Sequence, residues 1–155
     1  GVEHPQGRSH LQDAMEDWDE QVDRNRVHHL GFLDHSTMLK ILQCSACHLA
    51  LSYPYTLSWS VLEAMACAAP LITNLGSPIE PELIQNKSGL VVPFNDDEAL
   101  TKAILELLNN PLKRRSLGQA GRKVVEERFN LRTSLIQYEQ LFERLQRSHA
   151  SEELI

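Results

Sequence analysis

Short apolar runs and stretches of helical period alternate through the middle of the chain. VHHLGFL (27–33) reads as a strand, HSTMLKILQCS (35–45) as a helix, CHLALS (47–52) as a strand and SWSVLEAMAC (58–67) as a helix. PLITN (70–74), EPELIQN (80–86) and GLVVP (89–93) continue the series as strand, short helix and strand. Uninterrupted apolar strands separated by helices predict an α/β fold, a Rossmann-like parallel sheet with flanking helices. Each right-handed crossover lays a helix against one face of such a sheet.

After Pro93 the period is helical throughout. NDDEALTKAILELLNN offers Asn95 or Asp96 as a cap and sets Asp97 and Glu98 at the positive end of the helix dipole. Pro111 opens another helix, and LRTSLIQYEQLFERLQRSH aligns Leu131, Leu135, Tyr138, Phe142 and Leu145 on one stripe. Ahead of the alternating region, residues 9–23 place Leu11, Met15, Trp18 and Val22 at helical spacing, with Ser9 as a candidate cap. The expected organisation is an N-terminal segment with a polar helix (1–26), a Rossmann-like core (27–94), C-terminal helices of the same domain (95–148) and a tail (149–155).

With 155 residues, 42% of them hydrophobic, the chain can bury one sizeable core. A formal net charge of -6 argues against broad nucleic-acid binding, so no nucleic acid is expected as a partner. The local basic group Lys113, Arg114, Arg115, Arg122 and Lys123 falls on a helix among glutamates and reads as a solvated face. No stretch reaches the roughly 20 apolar residues that span a bilayer. The opening GVEHPQGRSH has neither the basic start nor the apolar run of an export signal, which makes the cytoplasm the expected location.

Three cysteines, Cys44, Cys47 and Cys67, suit reduced thiols better than a disulfide framework. CSACH (44–48) has the C-x-x-C-H spacing of a haem attachment, but it falls at an ordinary helix-to-strand junction. A zinc site built with His28, His29 or His48 would want a second close pair of cysteines, which the chain lacks. The expectation is that these residues are structural and that neither metal nor cofactor is held.

The stretch with the most chemistry is SYPYTLSWSVLEAMA (52–66). It leaves the carboxyl end of a strand and feeds the start of a helix, which is where ligands bind in open α/β sheets. Free amides at the helix start favour an anion such as phosphate, and Thr56, Ser58 and Ser60 add hydroxyls. Glu63, one turn in, cannot welcome phosphate but can hold a pair of adjacent hydroxyls, as on a ribose. On spacing alone Glu63 reads equally as a surface acid near the helix dipole, and Val61, Leu62, Met65 and Ala66 as core packing.

LEAMA followed by PLITN, PELI and SGLVVP, in this order and spacing, resembles the C-terminal, donor-binding half of the retaining family-four glycosyltransferases. The resemblance covers roughly residues 27–145 and implies a GT-B fold of two Rossmann domains. It implies that Glu63 holds the ribose of a nucleoside-diphosphate-sugar donor, and that the loop around Thr56, Leu57 and Ser58 meets the diphosphate and the sugar. The family's first motif glutamate falls on Tyr55, and its usual glycine after AMAC is Ala68.

The resemblance further implies that two central strands and a whole N-terminal acceptor domain are missing, which leaves the 27–33 strand without its usual neighbours. The chain is then expected to bind the donor, to be inactive alone, to self-associate, and to meet a membrane only peripherally through the full-length enzyme. Two other readings stay open on the residues. One is a non-catalytic interaction module on a partial Rossmann unit; the other is a different nucleotide-sugar enzyme such as an epimerase, against which the LEAMA to SGLVVP order counts.

Overall fold

Neighbouring residues of a strand point to opposite faces, and Leu71 and Ile72 show what that does here: both are fully buried, each in a different core. The computed structural model describes residues 22–53 and 56–152, with side chains through residue 147. They fall into two units, Gly1–Leu33 and Asp34–Ile155.

In the first unit the described residues form one short 3-10 turn, Arg24–Arg26, capped by Asp23, whose carboxylate accepts from the Asn25 N–H. The strand expected over 27–33 is not formed. Gly31 adopts φ +61°, a left-handed conformation that breaks an extended run, and no described strand pairs with this segment. Val27, Leu30 and Phe32 are exposed. The polar helix expected over 9–23 lies almost wholly outside the described residues.

The second unit runs α1 (His35–Cys44), β1 (His48–Ala50), α2 (Trp59–Ala66), β2 (Leu71–Asn74), α3 (Glu80–Asn86), β3 (Gly89–Val92), α4 (Asp97–Asn109), α5 (Pro111–Arg128) and α6 (Leu131–Glu152). The three strands are parallel in the order β1-β2-β3, with Leu49 opposite Ile72 and Ile72 opposite Leu90. Helices at every crossover make this the α/β sheet that the alternating pattern predicts, with the helical C-terminal segment after it.

On one face Leu71 packs with Val61 and Met65 of α2, Ile79 and Leu83 at α3, and Val124 of α5. On the other, Ile72 and Val92 meet Ala103 and Leu107 of α4 and Leu117 of α5. Each fully buried aliphatic side chain contributes about 1.5–3 kcal/mol, so the two faces of β2 anchor both layers. A third cluster, Leu42 with Ala64 and Ala69, seats α1 on α2.

The turn from α2 into β2 carries Ala68 at φ +59°, where the family resemblance would place glycine. Gly118 of α5 fits against this turn; a Cβ there would lie 2.0 Å from the Ala68 carbonyl oxygen. The close approach locks α5 to the end of α2 and so fixes the end of α2 opposite the cavity described below.

α6 is amphipathic, and Leu135, Tyr138 and Phe142 on it are exposed. Among the described residues no helix is long and apolar enough to cross a membrane.

Candidate functional site

At the carboxyl ends of β1 and β2 lies a cavity of about 350 Å³, within the range of small-molecule sites. Its wall includes the hydroxyl residues Ser52, Thr56, Ser58, Ser60 and Ser77, and among the described residues no Asp, Glu, Lys or Arg lines it. His48 reaches it from β1. Burial holds this imidazole below the ordinary histidine range, so it faces the cavity uncharged at neutral pH.

The loop that delivers these hydroxyls is fixed by Asn74, which is buried at the end of β2. Its Oδ1 accepts from the Ser52 N–H at 2.8 Å and its Nδ2 donates to the Ser52 carbonyl at 3.0 Å. The side chain imitates one more residue of strand, holding the exit of β1 after the ladder ends at Ala50. Beside it, Thr73 Oγ1 donates to the Ala50 carbonyl at 2.8 Å.

α2 begins at this cavity without a side-chain cap. Ser58 has the extended backbone of an N-cap, but its hydroxyl pairs with Ser60 Oγ at 2.9 Å instead of turning to the backbone. No acidic residue lies in the first turn. The Val61 N–H donates to the Ser58 carbonyl at 3.2 Å, so the positive end of the α2 dipole and the Trp59 and Ser60 amides are left to whatever enters the cavity.

Of the residues singled out in the sequence, Thr56, Leu57 and Ser58 line the cavity. Tyr55 lies outside the described residues. Glu63 is not among the residues that line the cavity. One turn along α2, it is drawn to the start of α1, where His35 Nε2–H donates to Glu63 Oε1 at 2.8 Å. The Glu63 side chain is 29% exposed, and its Oε2 has no hydrogen-bond partner among the described residues.

The C-x-x-C-H residues separate. Cys44 ends α1 exposed, Cys47 packs toward the Ile72 core and His48 faces the cavity. Cys67 joins the α1–α2 cluster. Burial pushes the Cys47 and Cys67 thiols up, which keeps both protonated and poorly nucleophilic. Among the described residues no three His, Cys, Asp or Glu side chains gather as metal ligands.

Sequence reasoning missed Asn74, Ser77 and His35. The signal for the first two was the end of a second strand, since the loops after neighbouring parallel strands converge on one cleft. His35 lies 28 residues from Glu63, and nothing local announces the pairing.

A family model described as Glycosyl transferases group 1 matches residues 7–124. Over 122 residues, 78% of this chain and 31% of the relative, the sequence is 26% identical to an uncharacterized glycosyltransferase of Methanocaldococcus jannaschii. It is 40% identical over 65 residues to the GDP-mannose-dependent monoacylated alpha-(1-6)-phosphatidylinositol monomannoside mannosyltransferase of Corynebacterium glutamicum, covering 42% of this chain and 17% of that one. Among solved structures, sucrose-phosphate synthase from Thermosynechococcus elongatus superposes with a TM-score of 0.77 at 28% identity, over 96% of this chain and 38% of that chain. The chain thus spans about a third or less of the length of the curated relatives it matches.

Proposed function

Since the chain belongs to the group 1 glycosyl transferases, with their GT-B architecture, we propose that the cavity at the start of α2 receives the nucleoside-diphosphate sugar of a retaining sugar transfer. The observation that carries this is the uncapped α2 terminus opening into a hydroxyl-lined cavity that, among the described residues, has no charged side chain on its wall. The diphosphate accepts from the first α2 amides and from Thr56 and Ser58, in a site that is already formed and needs no charge to be moved in. Glu63 takes the ribose diol through Oε2, while His35 occupies Oε1 and fixes the carboxylate's orientation. Tyr55 and Leu57 complete the donor loop.

In the whole enzyme, positioning and stabilisation of the departing diphosphate supply most of the rate. An acceptor domain, the acceptor itself and any peripheral membrane contact belong to that larger assembly, and this chain alone binds donor without transferring sugar. The cytoplasm, where nucleotide sugars are made, is the matching location.

Calorimetric titration with GDP-mannose and UDP-glucose tests the reading. Saturable binding of at least one is expected, and Glu63→Ala should weaken it by about 1.5–3 kcal/mol, the range for hydrogen bonds to a charged group. Binding that Glu63→Ala leaves unchanged contradicts the ribose assignment. The exposed α6 stripe at Leu135, Tyr138 and Phe142 supports a second proposal, self-association of the isolated chain. Light scattering that reports a monomer at high concentration overturns it.

A further inference from the structure

Four polar side chains are buried among the described residues: Thr73, Asn74, Ser77 and Ser88. Three of them are used. Thr73 donates to Ala50, Asn74 holds Ser52, and Ser88 Oγ donates to the Glu82 carbonyl at 3.4 Å. Ser77 Oγ alone has no hydrogen-bond partner, although the residue is only 5% exposed. Its backbone is fully engaged: the Ser77 N–H donates to the Asn74 carbonyl at 3.2 Å, and the Ser77 carbonyl accepts from the Glu80 N–H at 3.1 Å. The orphan is the hydroxyl, and an unmet buried hydroxyl weakens the fold unless something else uses it.

Ser77 lies on the wall of the cavity into which α2 opens. Meeting a ligand there asks only for a rotation about its Cα–Cβ bond between staggered wells. Its surroundings select the kind of atom it meets. The neighbouring Gly76 N–H donates to Glu80 Oε2 at 2.6 Å, so a carboxylate stands one residue away and repels a phosphate oxygen. A neutral hydroxyl, which like serine both donates and accepts, has no such conflict.

We propose that Ser77 Oγ hydrogen-bonds a hydroxyl of the sugar carried by the donor, and so favours the sugar nucleotide over the bare nucleoside diphosphate. This inference rests on the donor reading above and adds to it a residue that distinguishes the sugar from the rest of the ligand.

The test is the Ser77→Ala variant of the full chain, compared with the wild type in two measurements. One is the melting temperature without ligand; the other is the affinity for GDP-mannose and UDP-glucose, each set against GDP and UDP. Removing an orphaned hydroxyl should leave the unliganded melting temperature equal or higher. Nucleoside-diphosphate affinity should hold, while affinity for the sugar nucleotide drops about 2- to 12-fold, the worth of one hydrogen bond.

A lower melting temperature overturns the inference, because it shows the hydroxyl already partnered, by an ordered water, in the free protein. Equal losses for diphosphate and sugar nucleotide overturn it too, as does an unchanged sugar-nucleotide affinity. In that last case wild-type binding still stands, and only the role of Ser77 fails. A wild-type chain that binds none of the four probes sinks the donor reading and this inference with it.

Discussion

Helices α1, α4, α5 and α6 begin under the carboxylate or amide of a cap, whereas α2 begins bare at the cavity. Asp34 accepts from the Thr37 N–H at 3.0 Å, Asp96 from Ala99 at 2.9 Å, Asn110 from Lys113 at 2.9 Å and Asn130 from Arg132 at 2.9 Å. α3 also lacks a side-chain cap, but it is led in by a helical turn at Ile79, and the Ser77 carbonyl accepts its first amide. At α2 a serine stands at the capping position and spends its hydroxyl on Ser60. The residue type for closure is present and the closure is not made. Around that helix start the cavity also holds the one buried hydroxyl without a partner among the described residues and an imidazole held neutral by burial. Stabilising contacts are complete where the chain only has to fold and withheld where a ligand can complete them.

The largest effect that separates the two regions is expected at Gly118, on the closed side. A Cβ there meets the Ala68 carbonyl oxygen at 2.0 Å, backbone against backbone, with no flexible side chain to yield. Gly118→Ala should destabilise by about 3 kcal/mol, the upper end for overpacking. Urea denaturation checks it; an unchanged midpoint would mean that α5 does not lie as close to the end of α2 as described.

A smaller, paired effect tests the capping contrast itself. Asn110→Ala removes a working cap and should cost about 1 kcal/mol. Ser58→Ala, at a position of the same kind, removes no cap and should leave the denaturation midpoint in place. Equal losses for the two variants would show that Ser58 closes α2 after all.

Much of this was legible in advance because it is local. The three strands at 48–50, 71–74 and 89–92 and the helices between them follow from apolar runs and helical period, and Asp96 proves to be the cap that its position suggested. That the loop through Thr56 to Ser58 lines a cavity could be expected, because ligand clefts in open α/β sheets lie outside the carboxyl ends of strands. The strand at 27–33 was misread because its apolar content says nothing about Gly31, whose left-handed backbone decides the outcome. Glu63 was recognised, but not its hold on His35, and nothing in the sequence singled out Ser77. Both depend on what distant segments bring together, which no period along the chain encodes.

Acid should act on the two regions in separate windows. His48 has its folded pKa lowered by burial, so the unfolded chain takes up the proton first and stability falls as pH drops below 6.5. Asp34, hydrogen-bonded by the Ser36 and Thr37 hydroxyls and the Thr37 amide, is held down at about 2 from 3.8. With its folded pKa depressed, its contribution is fully present above 3.8 and is lost only as pH falls through about 2. The slope below 6.5 should disappear in His48→Asn, while the lower step remains. A slope below 6.5 that survives in His48→Asn would place the acid-sensitive group elsewhere.

The central claim is that the start of α2 is left open for the donor, and amide NMR during titration with GDP-mannose or UDP-glucose tests it most directly. The account predicts saturable shifts at the amides from Thr56 to Val61, with those of Ala99 and Lys113 at the capped helices unmoved. Saturable binding that leaves 56–61 silent, or that moves the capped helix starts instead, would contradict it.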